Sequence, residues 1–230
     1  MPPARQLDSS RSQTLDRGLS ALAIIATAKT PLTIHEVATH LGLGRSVTYR
    51  IIRTLEDHRL VTRDATGRLT GGTQLVALAS GVKNDMQAAA APILATLANL
   101  LGMTAFLVVS DGEAAVTVQV VEPTSTAAHV AYRPGTRHPL DRGAPGIALL
   151  AGDAPRASER PEVTTARTSG WAYSESEVIE GMASIAAPVT THDGATRAAI
   201  AIVHLVAGMD SIYVAPQVME AARCLGTELG

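Results

Sequence analysis

The stretch from Leu32 to Gly71 leaves this chain few ways to fold. Thr33-Ile-His-Glu36 has the spacing of a capping box, in which the Thr hydroxyl accepts from a first-turn N–H and the Glu carboxylate reaches back. The spacing predicts a short helix of about two turns that ends at Gly42. After Leu43-Gly44 a third helix is predicted from Arg45 to about Asp57. It places Val47, Ile51, Ile52 and Leu55 on one side, with Arg45, Ser46, Thr48, Tyr49, Arg50 and Arg53 largely on the other. Leu60-Val-Thr-Arg63 and Arg68-Leu-Thr70 are β-prone runs around the turn Asp64-Ala-Thr-Gly67, which reads as a hairpin. Upstream, Leu15, Leu19, Leu22, Ala23, Ile25 and Ala26 recur at helical spacing between Thr14 and Ala28 before Pro31 stops the run. Three helices and a hairpin make a winged helix-turn-helix over residues 14–72. Residues 1–13, polar with two prolines, read as a mobile arm whose Arg5 and Arg11 either touch phosphate or are simply solvated.

Charge separates this front piece from the rest. Residues 1–83 hold 11 Lys and Arg against 6 Asp and Glu, a net +5, whereas residues 84–230 hold 8 against 15, a net −7. A basic half joined to an acidic half points to a polyanion as partner of the first and a different role for the second. A helix from Thr73 to about Val82 is expected to connect them as a linker over 73–83, with Asn84-Asp85 at the seam. The helix that follows to Leu101 carries Met86, Ala90, Ile93, Leu94, Leu97, Leu100 and Leu101, with Pro92 expected to kink or restart it.

The rear piece, 84–230, reads as an α+β domain. Thr104–Ser110, Ala115–Val121, Ala127–Arg133, Ser184–Val189 and Arg197–Val206 are β-rich runs separated by Asp-Gly, Glu-Pro and Pro-Gly punctuation. A short helix is expected after Gly143 and a longer one from about Tyr213 to Leu229. Residues 152–170, polar and weakly patterned, read as a surface loop. With 46% hydrophobic residues the chain can fill a core, which excludes a disordered or collagen-like polymer. The single Cys224 forms no intramolecular disulfide and supplies no thiolate cluster, consistent with a reducing, cytoplasmic setting. The start MPPARQLDSS has no apolar core and does not read as a signal peptide, and no apolar run is long enough to span a bilayer.

Leu32–Leu55, Leu60–Arg63 and Gly67–Gly71 resemble, in order and spacing, the helix-turn-helix and wing of the IclR family of bacterial transcriptional regulators. The second half is collinear with that family through Pro134-Gly135, Gly143-Ala-Pro-Gly146, Ala148–Ala151, Gly170-Trp-Ala-Tyr-Ser174, Glu177, Gly181 and Ile185-Ala-Ala-Pro188. The resemblance implies a GAF-like α+β effector-binding domain, assembly as a homodimer or a dimer of dimers, and double-stranded operator DNA as partner. Three departures stand out. Ile147 occupies a place where members often carry Lys, the helical segment between Leu150 and Gly170 is curtailed, and Ala201 and Val203 stand where some members place serines.

On this reading Arg45, Ser46 and Tyr49 lie near base edges, Thr48, Arg50 and Arg53 divide between bases and phosphates, and Arg68 in the wing reaches the DNA backbone or minor groove. In the rear domain, Gly143 and Ala144 lie where a loop enters a helix, so their N–H groups are candidates to hold an anionic or carbonyl-bearing effector. The resemblance adds Glu177 and Ser184, with Ala201 and Val203 on the opposing strand making the pocket more apolar. Ser174-x-x-Glu177 also reads as an ordinary capping box, and Trp171 as packing or a pocket wall. No catalytic residues, cofactor or metal site are expected: the histidines lack ligand spacing, with His35 and His40 five apart, and His138 with Asp141 is too small a constellation to argue catalysis. The rival reading is a metabolite-binding protein or enzyme whose front domain mediates protein contacts. Such a module has no need of three arginines on one helix face.

Overall fold

The computed structural model describes residues 12–80, 85–124, 126, 130–208 and 210–230. The arm through Arg11, the seam at Asn84 and part of the strand expected at Ala127–Arg133 lie outside them. The chain divides into two compact units, Met1–Lys83 and Asn84–Gly230.

In the first unit, α1 (Gln13–Thr27), α2 (Ile34–Leu41) and α3 (Arg45–Asp57) precede a hairpin of β1 (Val61–Arg63) and β2 (Leu69–Gly71), then α4 (Gln74–Ser80). The capping box of α2 is complete. Thr33 Oγ1 accepts from Glu36 N–H at 3.2 Å, and Glu36 Oε2 accepts from Thr33 N–H at 2.6 Å. Gly42 ends the helix in the left-handed region at φ 63°, its N–H donating to the Ala38 and Thr39 carbonyls. Leu32 and Leu69 exchange backbone hydrogen bonds, so the extended segment before α2 runs beside the wing. Ala21, Ile25, Val37, Ile51, Ile52, Leu55, Val61 and Leu69 form the core that these elements share.

One face assignment is corrected on α3. Thr48 is fully buried and its hydroxyl donates to the Gly44 carbonyl at 3.2 Å, while Val47 is 39% exposed. At 3.6 residues per turn, position 48 stacks with 51, 52 and 55, whereas 47 falls beside the open face. A threonine that spends its hydroxyl on the preceding turn can occupy that inner position.

The second unit is a six-stranded antiparallel sheet in the order β5-β4-β3-β8-β7-β6. Its strands are β3 (Thr104–Asp111), β4 (Ala114–Val121), β5 (Arg137–Pro139), β6 (Ala172–Glu175), β7 (Met182–Thr190) and β8 (Thr196–Leu205). On one face α5 (Asp85–Leu101) and α8 (Ser211–Leu229) pack against Ala105, Leu107, Ile185, Ile200 and Ile202. On the other, α6 (Gly143–Gly152) and α7 (Pro161–Ser169) cover Phe106, Val108, Ala186, Ala199, Ala201 and Val203. The period-two alternation of β3 and β8 thus feeds two cores, because a sheet covered on both faces buries every side chain of its central strands. Pro92 lies inside a helix that continues as one element from Asp85 to Leu101.

Residues 152–170 are not a loop throughout. Pro161 at the first helical turn and Gly170 as a left-handed C-cap bracket α7, a start-and-stop pair present in the sequence. Residues 130–133 are not a strand; the Val130 carbonyl accepts from Thr104 Oγ1 at 2.6 Å, and Arg133–Thr136 closes a turn. The edge strand is instead β5, where Pro139 is tolerated because an edge needs no second ladder of donors.

Candidate nucleic-acid interface and effector cleft

The outer face of α3 carries Arg45, Ser46, Tyr49, Arg50 and Arg53, all exposed, opposite the buried stripe of Thr48, Ile51, Ile52 and Leu55. Hydrophobic anchoring on one side fixes where these side chains project. Tyr49 hydrogen-bonds Arg53 and, with Asp57 close by, raises the guanidinium pKa further above its ordinary value. Thr48 is not on this face. Arg68 is exposed but bonded within its own domain: Nη1 donates to the Pro31 carbonyl at 3.0 Å and lies 3.5 Å from Glu36 Oε2. It fastens the wing to the start of α2. The wing tip is an Asp turn, in which Asp64 Oδ1 accepts from the Thr66 hydroxyl and from the Arg68 and Thr66 N–H groups, which together hold the carboxyl below the usual range.

The second site is a narrow cleft beside the N-terminus of α6. Phe106, Tyr132, His138, Ser184 and Val203 line it, and the β6–β7 loop covers it with Glu177, Val178 and Ile179. The rings of Phe106 and Tyr132 stack with centroids 4.6 Å apart, and burial pushes the Tyr132 phenol up. Gly143 begins α6 at φ 74°, and a Cβ there would lie 2.7 Å from Val178 Cγ2, so both backbone angle and space call for glycine.

The N–H groups of Gly143 and Ala144 already have partners. Gly143 N–H donates to Glu177 Oε2 at 2.8 Å and Ala144 N–H to Ser174 Oγ at 2.7 Å. Ser174 sits in β6, so Ser174 and Glu177 open no helix of their own; they satisfy the first donors of α6, some thirty residues earlier. Arg160, at the N-cap of α7, grips the same carboxylate, with Nη2 2.9 Å from Oε1 and Nη1 3.2 Å from Oε2. Its guanidinium and the Gly143 N–H hold Glu177 below the ordinary carboxylate range.

The other expected pocket members divide. Ser184 and Val203 are opposite each other on β7 and β8 and both line the cleft, the Ser184 hydroxyl donating to the Ile202 carbonyl at 2.8 Å. Ala201, two residues along on the same face, is buried against α6 and does not reach the cleft. Trp171 packs with the core on the α5–α8 side, away from it. Sequence reasoning missed Arg160, Phe106 and Tyr132, which carry no local motif. Ser174 and Glu177 had a visible pattern but not a visible target. Among the described residues no group of three His, Cys, Asp or Glu is placed to hold a metal ion, and no helix is long and apolar enough to cross a membrane.

Two family profiles match this chain, that of the IclR helix-turn-helix domain over residues 14–65 and that of the bacterial transcriptional regulator IclR C-terminal domain over residues 156–227. The chain is 30% identical over 204 residues to the glycerol operon regulatory protein of Streptomyces griseus, an alignment covering 79% of each. An IclR transcriptional regulator from Alicyclobacillus acidocaldarius superposes with a TM-score of 0.81 at 22% identity, over 96% of this chain and 100% of that one. An IclR homologue from Microbacterium hydrocarbonoxydans, crystallised with 4-hydroxybenzoate, gives 0.78 at 19% identity over 94% and 98%. With a helix-turn-helix unit, a six-stranded α+β unit and relatives at this level, the chain belongs to the IclR family of bacterial transcriptional regulators, with an N-terminal DNA-binding domain and a C-terminal effector-binding domain.

Proposed function

We propose that α3 enters the major groove of an operator, with Arg45, Ser46 and Tyr49 reading base edges and Arg50 and Arg53 shared between bases and phosphates. The observation that carries this is the exposure of all three arginines on the face opposite the buried stripe. Thr48 supports the helix rather than touching DNA, and Arg68 holds the wing against α2. The chain works as a homodimer or dimer of dimers on a pseudo-palindromic site in the cytoplasm. A small-molecule effector, bound in the cleft under the β6–β7 loop, favours one arrangement of the paired DNA-binding domains over another through unequal affinity for the two. An IclR homologue of the same fold was crystallised with 4-hydroxybenzoate, which supports a small organic effector as the class.

The test is affinity of the full chain for its own upstream DNA against a scrambled duplex across a salt series. Selective binding that weakens steeply with salt is expected, and Arg50→Ala should lower the salt slope by about one phosphate contact. Equal, weak binding of both duplexes at low salt would overturn the reading.

A further inference from the structure

α3 and α4 are joined backbone to backbone. α3 closes on a Schellman-type turn, in which Arg59 N–H donates to the Glu56 carbonyl at 2.8 Å and Leu60 N–H to the Leu55 carbonyl at 2.9 Å. Arg59 takes the left-handed position of that turn at φ 54°, where glycine is the usual residue. A side-chain-bearing residue persists there when its surroundings over-determine the backbone. Those surroundings are the start of α4. The hairpin register, with Val61 opposite Gly71, brings Gly72 beside Leu60, and Gly72 N–H donates to the Leu60 carbonyl at 2.9 Å. Gln74, the first residue of α4, donates its N–H to the Arg59 carbonyl at 3.1 Å. Gly72 itself is buried, and a Cβ on it would lie 2.1 Å from the Arg59 carbonyl oxygen and 2.9 Å from the Leu60 carbonyl carbon. Its φ is not positive, so space and not backbone angle calls for glycine.

We propose that Gly72 is a positioning residue for operator recognition: its contact with Arg59 locks α3 to α4, so that α4 sets where each copy's α3 meets DNA and thereby the half-site spacing a dimer accepts. The inference rests on the reading of the chain as a dimer with α3 in the major groove, and it adds a residue that touches no DNA. α4 is the last described element of the first unit, and the chain runs on from it to the second, so the placement of α3 passes through this joint. Side chains yield by changing rotamer, whereas backbones in contact do not. A methyl at position 72 would drive α3 and α4 apart by about 1 Å before ordinary contact is restored. Summed over two copies, about 2 Å is more than half of the roughly 3.4 Å rise of one base pair, enough to disturb spacing.

The test uses the full chain and the half-sites footprinted on its own upstream DNA. Affinity is measured for duplexes with the natural spacing, with one base pair inserted or removed, and with a single half-site. Wild-type protein should prefer the natural spacing about tenfold over either altered one. Gly72→Ala should keep its single half-site affinity within about twofold, while the spacing preference falls below about threefold or moves by one base pair. Gln74→Pro should act in the same direction, because proline fits the first turn of a helix but has no N–H for the Arg59 carbonyl. Thr33→Ala, which weakens the cap of α2 away from the joint, should keep the wild-type preference. That control separates placement from general loss of stability. If Gly72→Ala loses half-site binding, Gln74→Pro decides. A wild-type protein indifferent to spacing, a preference unchanged in a variant that still binds the half-site, or an equal loss in Thr33→Ala overturns the proposal. Loss of half-site binding in both joint variants also overturns it, since the joint would then serve the fold and not the placement. Failure of the regulator reading shows differently, as wild-type protein that does not prefer its upstream DNA to a scrambled duplex.

Discussion

Gly146→Ala concentrates the effector-domain argument in one methyl group. An alanine Cβ at this position would lie 2.4 Å from the Leu140 carbonyl oxygen, whereas ordinary contact begins near 3.4 Å. The clash is with backbone, so no side chain can swing away, and α6 must retreat by about 1 Å if the 139–142 segment holds its place. The two hydrogen bonds at the start of α6, at 2.8 and 2.7 Å, then stretch beyond the roughly 3.2 Å limit of a good N–H···O bond. Losing the neutral one costs about 0.5–1.5 kcal/mol and the one to Glu177 about 1.5–3 kcal/mol. If the core yields instead, overpacking costs about 1–3 kcal/mol. We expect unit 84–230 to lose about 2–4 kcal/mol. Equilibrium urea unfolding reports it, because the chain's single tryptophan, Trp171, packs in this unit's core. A lower midpoint with an unchanged slope is the expected signature. A change below about 0.5 kcal/mol would refute the claim that the backbone approach at Gly146 sets the position of α6.

Thr48→Arg should unfold or severely destabilise the first unit, since a charge would enter a fully buried position, while Val47→Arg should leave its melting temperature nearly unchanged; circular dichroism of the two variants side by side decides the face assignment. Thr33→Ala removes the acceptor that caps α2 and should cost about 0.5–2 kcal/mol in thermal unfolding of that unit, with an unchanged melt counting against the capping box. Glu159, hydrogen-bonded by Arg167, has its carboxyl lowered from 4.5 to about 2. Because the folded value is depressed, its stabilisation is complete above pH 4.5 and is lost as pH falls towards 2, so Glu159→Gln should flatten the acid side of the stability profile; identical wild-type and variant profiles would contradict this. Gly18→Ala, inside α1 with nothing within 4 Å of the added methyl, should stabilise the first unit by about 0.5–1 kcal/mol, and a destabilised variant would show that α1 is packed there.

What the sequence by itself determined is the set of features whose partners lie within a few residues. The capping box at Thr33 and Glu36, the glycine that ends α2, the hairpin around Asp64–Gly67 and the apolar periodicity of α1 and α5 are local, because a hydrogen bond across one turn needs only the right residue three or four positions away. The Pro161 and Gly170 brackets of α7 were equally local, but a polar, weakly periodic interval concealed them. On α3 the angular position of Thr48 was also present in the spacing; the preference for placing valine inside and threonine outside outweighed the geometry of the turn.

The tertiary structure alone decided the cleft beside α6. Nothing near Gly143 in sequence says that its N–H will be taken by Glu177, or that Ala144 will find Ser174, because those partners arrive on a strand and loop some thirty residues later. His138 is read as one of seven scattered histidines until β5 pairs with β4 and α6 folds beside it, which buries the ring with one nitrogen on a carbonyl and the other without a partner among the described residues. Local pattern fixes which segments become helices and strands. Which donors and acceptors are left over in a cleft depends on how distant segments close on one another, and no short-range periodicity encodes that.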